Sequence, residues 1–136
     1  MIPKFRAWDK RSKEMWSVQL VDFERREISN GGDIADFSDI ELMQSTGLKD
    51  LKGVEIFEGD IVILTSKSIN YADTYWHNYA EVFKQPNGAY RLRGKGMYET
   101  ELYSNRKQVT LTGNIYETPE LLENDRFCTD TDDPDY

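Results

Sequence analysis

The sequence predicts a mostly-β protein in which an N-terminal hairpin-rich subdomain packs on a small SH3-like, barrel-like subdomain that ends in a short helical turn. Three observations support this fold class. Short runs alternate polar and apolar side chains, turns rich in glycine and asparagine separate the runs, and residues 61–64 are continuously apolar. The 136 residues suit a single domain. We expect the subdomains at residues 1–44 and 45–122, followed by an acidic, disordered tail at 123–136.

The chain opens with a predicted hairpin. Residues 4–8 alternate as a half-buried strand does, and residues 9–13 form a polar turn. Residues 15–23 resume the strand pattern, with an irregularity that is typical of a β-bulge. We interpret Trp8 and Trp16 as anchors of the core or of an interface, with ligand stacking as the alternative.

A second hairpin is predicted over residues 24–37, because the residues Asn-Gly-Gly-Asp at 30–33 form a strong turn signal. The segment that follows, residues 38–43, has two interpretations. Ser38 with Glu41 three residues later is typical of a capped helical turn, and the same residues also suit a strand.

The centre of the chain is a series of turns that lead into the most apolar strand. Gly47, Gly53 and Gly59 each lie where a polar run meets an apolar one, which indicates positive φ angles. Residues 50–53 fit a type I turn, and residues 61–64 should be covered on both faces. The predicted structural turn signature consists of Gly47, Asp50, Gly53, Glu58, Gly59 and Asp60.

Glu58 and Asp60 have a second interpretation as a carboxylate pair for acid–base chemistry or metal binding. Such a pair needs side chains that converge in space, which sequence spacing cannot show. We therefore favour a turn whose carboxylates accept hydrogen bonds from backbone amides.

Residues 65–77 are rich in Ser, Asn, Asp and Tyr, and we predict an exposed loop. Loops often carry function, so its aromatic residues are candidates for binding a partner. The alternative is that the rings pack back on the barrel or on a second subunit. The candidate partner-binding residues are Tyr71, Tyr75, Trp76 and His77.

A further hairpin is predicted over residues 79–93, with a turn at 85–88. Arg91, Arg93 and Lys95 alternate, which places them on one face. With Tyr90 and Tyr98 they resemble in outline a platform for single-stranded nucleic acid. The alternative is a solvated face whose cations protect an exposed sheet edge.

The last predicted elements are a strand at residues 108–112 and a helical turn at 118–122, with Thr118 as N-cap and Pro119 in the first helical position. Residues 97–105 suit either a short helix or a strand. The chain is acidic, with a net charge of −8, of which −5 lies from Glu123 onward. This acidity disfavours nucleic-acid binding, which depends on neutralising phosphates.

Composition argues against most chemistry. One His and one Cys cannot form a His/Cys zinc site, and no nucleotide-binding glycine motif occurs. We therefore predict no catalytic residues, no metal and no cofactor. We also expect no signal peptide and no membrane span, and the lone cysteine fits a cytoplasmic protein.

Three ordered motifs resemble the YopX-like family of phage and prophage proteins. They are residues 2–9 (IPKFRAWD) with Met15 and Trp16, residues 44–62 (QSTGLKD, then Gly53 and IFEGDIV), and residues 112–122 (TGNIYE, then PELL). The resemblance implies a mostly-β fold with a barrel-like part, a phage or prophage origin and self-association. It also favours the strand interpretation of residues 38–43. It implies no reaction.

The leading functional prediction is a non-catalytic, phage- or prophage-encoded homo-oligomer that acts through contacts with an unknown phage or host protein. The first alternative is single-stranded nucleic-acid binding through the basic face. The second is a hydrolase that uses Glu58, Asp60 or His77, which would require a pocket where these three side chains converge.

Overall fold

The computed structural model describes residues 4–134, and it confirms the mostly-β fold: 49% of the described residues are strand and 8% are helical. Ile2 and Pro3 of the opening motif, and Asp135 and Tyr136 of the predicted tail, lie outside the described residues. Between residues 4 and 134 there is no helix with the length and hydropathy needed to cross a membrane.

Contacts divide the chain into two compact units, Met1–Ser45 and Thr46–Tyr136. The first unit contains five strands, a 3-10 turn at Phe37–Asp39 and the beginning of a sixth strand. These strands are β1 (Phe5–Asp9), β2 (Glu14–Ser17), β3 (Leu20–Asp22), β4 (Glu27–Ser29), β5 (Ile34–Asp36) and β6 (Ile40–Lys49).

In the first unit, β1 pairs antiparallel with β2 on one side and with β6 on the other. Strands β3, β4 and β5 form a separate antiparallel sheet. The irregular alternation of residues 15–23 therefore marks a break between β2 and β3, which lie in different sheets, rather than a bulge. One cluster of buried apolar side chains consists of Ala7, Trp16, Ile28 and Ile40, and Trp8 and Met43 are buried as well.

The segment at residues 38–43 combines its two interpretations. A 3-10 turn ends at Asp39, and β6 begins at Ile40, as the strand interpretation required. The N-cap of that turn is Asp36 rather than Ser38, because the Asp36 carboxylate accepts hydrogen bonds from the Ser38 amide (2.8 Å) and hydroxyl (2.7 Å).

The second unit contains the end of β6 and seven further strands, with 3-10 turns at Tyr103–Asn105 and Pro119–Glu123. These strands are β7 (Glu55–Phe57), β8 (Asp60–Lys67), β9 (Tyr75–Lys84), β10 (Tyr90–Arg93), β11 (Thr100–Glu101), β12 (Val109–Asn114) and β13 (Phe127–Thr129). The main sheet has the order β11-β10-β9-β8-β12, and β13 also pairs with β9.

The main sheet of the second unit is curled into a half-barrel. Its core is aliphatic and includes Val62 of β8, Val82 of β9 and Leu92 of β10, each fully buried. In the predicted apolar run at residues 61–64, Ile61, Val62 and Ile63 are at most 3% exposed, as expected for a strand covered on both faces, and Leu64 is partly buried. The SH3-like detail stays a prediction.

The predicted disordered tail needs correction. Phe127–Thr129 form β13 and pair antiparallel with the first residues of β9. The Phe127 ring lies 4.8 Å from the His77 ring and 6.1 Å from the Tyr79 ring, measured between centroids. The prediction considered the acidic residues and the lack of aliphatic ones, whereas one aromatic side chain is enough to anchor a short strand.

Candidate functional site

The loop between β8 and β9 exposes apolar side chains at the tip of a long hairpin. Ile69 is 99% exposed and Tyr71 is 69% exposed. The loop itself is ordered by hydrogen bonds, because the Ser68 amide donates to the Thr74 carbonyl (2.8 Å) and the Ser68 hydroxyl accepts from the Asn70 and Tyr71 amides (both 3.3 Å). The tip therefore holds apolar side chains in water on a defined backbone.

A shallow pocket of about 240 Å³ adjoins this tip. Trp76 of β9 and Arg126, just before β13, form part of its wall, and Ile69 also lines it. The Arg126 guanidinium lies over the Trp76 ring at 3.8 Å from the centroid, a cation–π contact that fixes both side chains. We call Ile69, Tyr71, Trp76 and Arg126 the tip surface.

Two of the four candidate partner-binding residues belong to this surface, and the loop is shorter than predicted. β8 extends to Lys67 and β9 begins at Tyr75, so Tyr75, Trp76 and His77 are strand residues. Sequence reasoning missed Ile69, which is isolated among polar residues, and Arg126, which lies in the predicted tail.

His77 is the clearest departure from the predicted loop, because its side chain is fully buried. Its Nδ1 lies 2.8 Å from the Thr65 hydroxyl, and its Nε2 lies 2.7 Å from the Thr129 hydroxyl. Since the Thr129 hydroxyl donates to the Thr131 carbonyl, it must accept from Nε2–H. His77 therefore joins β8, β9 and β13, and its burial makes it unavailable to a partner.

This burial predicts a dependence of stability on pH. Burial lowers the pKa of His77, and a hydrogen bond to the main chain of Thr131 and the negative charges of Asp132 and Asp133 partly oppose this shift. The unfolded chain then binds more protons than the folded one, so stability is full above about pH 6.5 and falls as pH decreases. In urea unfolding we expect a lower free energy of unfolding at about pH 5.5 than at about pH 7.5, with about 1.4 kcal/mol as the upper limit that the unfolded-state pKa sets.

The matched control for this prediction is His77→Gln, which keeps a donor and an acceptor but does not titrate in this range. Its unfolding free energy should change less between the two pH values than that of the wild type. Equal changes in the two proteins would show that other groups cause the pH dependence.

The predicted turn signature has a structural role. Gly47, Gly53 and Gly59 adopt φ angles of 77°, 81° and 87°, which side chains with a Cβ rarely tolerate. The Gly53 amide donates to the Asp50 carbonyl (3.0 Å), as expected for the turn at residues 50–53. Asp60 is 1% exposed, and its carboxylate accepts a hydrogen bond from the Phe57 amide (2.7 Å).

The three residues of the hydrolase alternative do not converge. Strand register pairs His77 with Thr65, five residues along β8 from Asp60, which corresponds to about 17 Å. Glu58 lies in the turn that precedes Asp60. Among residues 4–134, no group of three His, Cys, Asp or Glu side chains is placed to hold a metal ion.

The basic face of β10 is paired with carboxylates. Arg91 lies 3.5 Å from Glu101, and Arg93 lies 3.2 Å from Glu81 and stacks on the Phe83 ring. Lys95 lies 2.7 Å from Asp125. Any phosphate would compete with these partners, so nucleic-acid binding here stays a prediction that the geometry does not favour.

The two tyrosines of the nucleic-acid alternative, Tyr90 and Tyr98, differ in burial. Tyr90 packs against the aliphatic core, and burial together with the nearby Glu58 raises the pKa of its hydroxyl. Tyr98 is 95% exposed. They therefore do not form one stacking platform beside the arginines.

Together these features define a small, mostly-β protein of two units with an exposed hairpin tip beside a shallow pocket. The chain belongs to the YopX family, since the family model described as "YopX protein" matches residues 4–123. This match confirms the resemblance that the motifs predicted. The chain is also similar to protein EF1440 from Enterococcus faecalis, known from a crystal structure, with 30% identity and a TM-score of 0.65. The similarity covers 90% of this chain and 99% of that one. The search of curated proteins returned no match.

Proposed function

We propose that this chain is a non-catalytic, phage- or prophage-encoded protein that self-associates and acts through protein–protein contacts made by the tip surface. The observation that carries the proposal is the exposure of Ile69 and Tyr71 beside the pocket of Trp76 and Arg126. Exposed apolar groups next to a concave, partly aromatic wall are typical of interaction sites.

The proposal that the protein is non-catalytic is supported by the structural roles of the side chains that could otherwise act in catalysis. His77 is held inside by two threonine hydroxyls, and Asp60 accepts a backbone hydrogen bond. The proposal includes a cytoplasmic location, which the single, exposed Cys128 supports because free thiols are typical of reducing compartments.

Self-association is supported by the shape of the tip surface, which carries both a protruding and a concave part. In a two-fold dimer the same surface meets itself, so Ile69 or Tyr71 of one copy faces the pocket of the other. The tip surface consists of four residues, whereas a standard interface has about 20–30 residues on each side, so we expect weak association.

The test is light scattering coupled to gel filtration over a wide range of protein concentration. We expect the wild type to show a mass that rises with concentration. The double variant Ile69→Ser, Tyr71→Ala removes both protruding side chains and should raise the dissociation constant about tenfold or more, equivalent to about 1.4 kcal/mol.

The matched control is Tyr98→Ala, which removes a still more exposed tyrosine from elsewhere in the second unit. It should associate as the wild type does. A wild type that stays monomeric at the highest concentration would contradict self-association, and equal masses for the wild type and the double variant would contradict the role of the tip.

A further inference from the structure

A second candidate surface lies in the first unit, where one face of a sheet is exposed. In the sheet β3-β4-β5, Val21, Ile28 and Ala35 lie in one row and pack on the core. The opposite face consists of two other rows, which are Leu20–Ser29–Ile34 and Asp22–Glu27–Asp36. Leu20 is 60% exposed and Ile34 is 67% exposed. This face thus carries an apolar row beside an acidic row.

A cleft of about 580 Å³ lies along the edge strand of this sheet, since all three residues of β5 line it. Glu27 of β4 and Glu14 and Trp16 of β2 also line the cleft. In total six carboxylates and one guanidinium, that of Arg11, line it. Its strongly negative charge contrasts with its apolar Trp16 and Ile34.

Three of the six carboxylates already have partners. Asp9 accepts from the Arg11 amide (2.9 Å), Asp36 accepts from Ser38, and Asp39 lies 3.6 Å from the Arg11 guanidinium. These hydrogen bonds from Arg11 and Ser38 lower the pKa of Asp9 and of Asp36 respectively, so both stay charged at neutral pH.

The other three carboxylates are Glu14, Glu27 and Asp33. Within residues 4–134, none of these side chains makes a hydrogen bond or an ion pair. The one cation that lines the cleft, Arg11, is paired with Asp39, so these three like charges repel one another and an external cation would relieve that repulsion. We call Glu14, Glu27 and Asp33, with Trp16 and Ile34, the acidic cleft.

We propose that the acidic cleft and the adjoining Leu20–Ile34 row dock an extended, basic segment of a protein partner. The two rows lie two residues apart along each strand, about 6.6–6.8 Å, which is also the spacing of alternate side chains in an extended peptide. A segment that runs along the strands and carries an apolar and a basic residue at positions i and i+2 therefore matches both rows.

Charge selects this occupant over others. Nucleic acid, whose phosphates are negative, would be repelled from a negative cleft, and a second copy of the chain, with a net charge of −8, complements the cleft less well than a basic segment does. A metal ion is not indicated, because no three-ligand group exists between residues 4 and 134. Lysine and arginine side chains satisfy the free carboxylates, while the apolar row contributes burial.

The probe is a short, fluorescently labelled peptide that alternates lysine or arginine with valine or isoleucine. Binding is measured by anisotropy at low and at physiological salt, with two control peptides. One replaces the basic residues by glutamate, and the other has the same composition with the basic residues in one block. We expect only the alternating peptide to bind at physiological salt.

The diagnostic variant is Glu14→Gln, Glu27→Gln, Asp33→Asn, and its matched control is Glu99→Gln, Glu120→Gln, Asp130→Asn. Both remove three exposed or half-buried negative charges, but the control positions lie in the second unit. We expect the cleft variant to raise the dissociation constant about tenfold or more, and the control variant to change it less than about twofold.

A second variant, Leu20→Ser with Ile34→Ser, tests the apolar row without altering charge, and it too should weaken binding. The tip variant Ile69→Ser, Tyr71→Ala should bind the peptide as the wild type does, which separates this inference from the proposed self-association. Absence of binding at low salt, equal weakening by the cleft and control variants, or equal binding of the block peptide would overturn the proposal.

Discussion

Replacing Asp50 with alanine is expected to lower the free energy of unfolding by about 3 kcal/mol. The Asp50 side chain is buried, and one carboxylate oxygen accepts hydrogen bonds from the Lys52 and Val54 amides (both 2.9 Å). The other oxygen accepts from the Leu111 amide of β12 (2.8 Å). Alanine removes three hydrogen bonds to a charged acceptor and leaves the Leu111 amide without its partner.

Urea unfolding measures this effect as a shift of the transition midpoint. Asp50→Asn should cost less than Asp50→Ala, because the amide keeps one oxygen for the local turn while its NH₂ group cannot accept from Leu111. The control is Asp130→Ala, at an exposed aspartate, and it should change the unfolding free energy by less than about 0.5 kcal/mol. A similarly small change for Asp50→Ala would show that the turn does not depend on this carboxylate.

Gly94→Ala is expected to have a comparable or larger effect, a loss of about 3 kcal/mol or failure to fold. Gly94 directly follows β10, and a Cβ there would overlap the carbonyl oxygen of Tyr79 in β9 and lie 3.3 Å from the Ala80 Cα. Both neighbours are main-chain atoms, so no side chain can rotate to make room. Relief requires β10 to move away from β9, which opens the sheet over its aliphatic core.

Gly32→Ala is the matched control, because the nearest atom to a Cβ at that position is 3.8 Å away and its φ is not positive. Its unfolding transition should stay close to that of the wild type. If the circular dichroism spectrum and the urea midpoint of Gly94→Ala also match those of the wild type, the close approach of β10 to β9 does not exclude a side chain at residue 94.

Local signals predicted the parts of this protein that depend on local chemistry. The turn at residues 50–53 and the positive φ of Gly59 follow from residue types that favour one backbone conformation. Gly94 differs, because its requirement comes from Tyr79 on a neighbouring strand rather than from its own φ. A sequence pattern does not indicate which glycine another strand will approach.

At the candidate site, too, local sequence signals predicted exposure in a loop but not contacts between distant parts of the chain. Tyr71 was identified because an aromatic residue in a polar loop tends to be exposed, and it is. His77 was misplaced because its burial depends on Phe127 and Thr129, about fifty residues away along the chain. The acidic cleft was missed because Glu14, Glu27 and Asp33 come from separate segments, each of which resembles an ordinary solvated turn or strand.

The position of β13 has a consequence for how related proteins can diverge. The family match ends at residue 123, whereas Arg126, which forms a wall of the pocket, and Phe127, which anchors β13, lie beyond it. This extension is coupled to the interior, since Phe127 and Thr129 contact the buried His77. A relative with a different extension would therefore present a different recognition face and would also need a matching change at the position of His77.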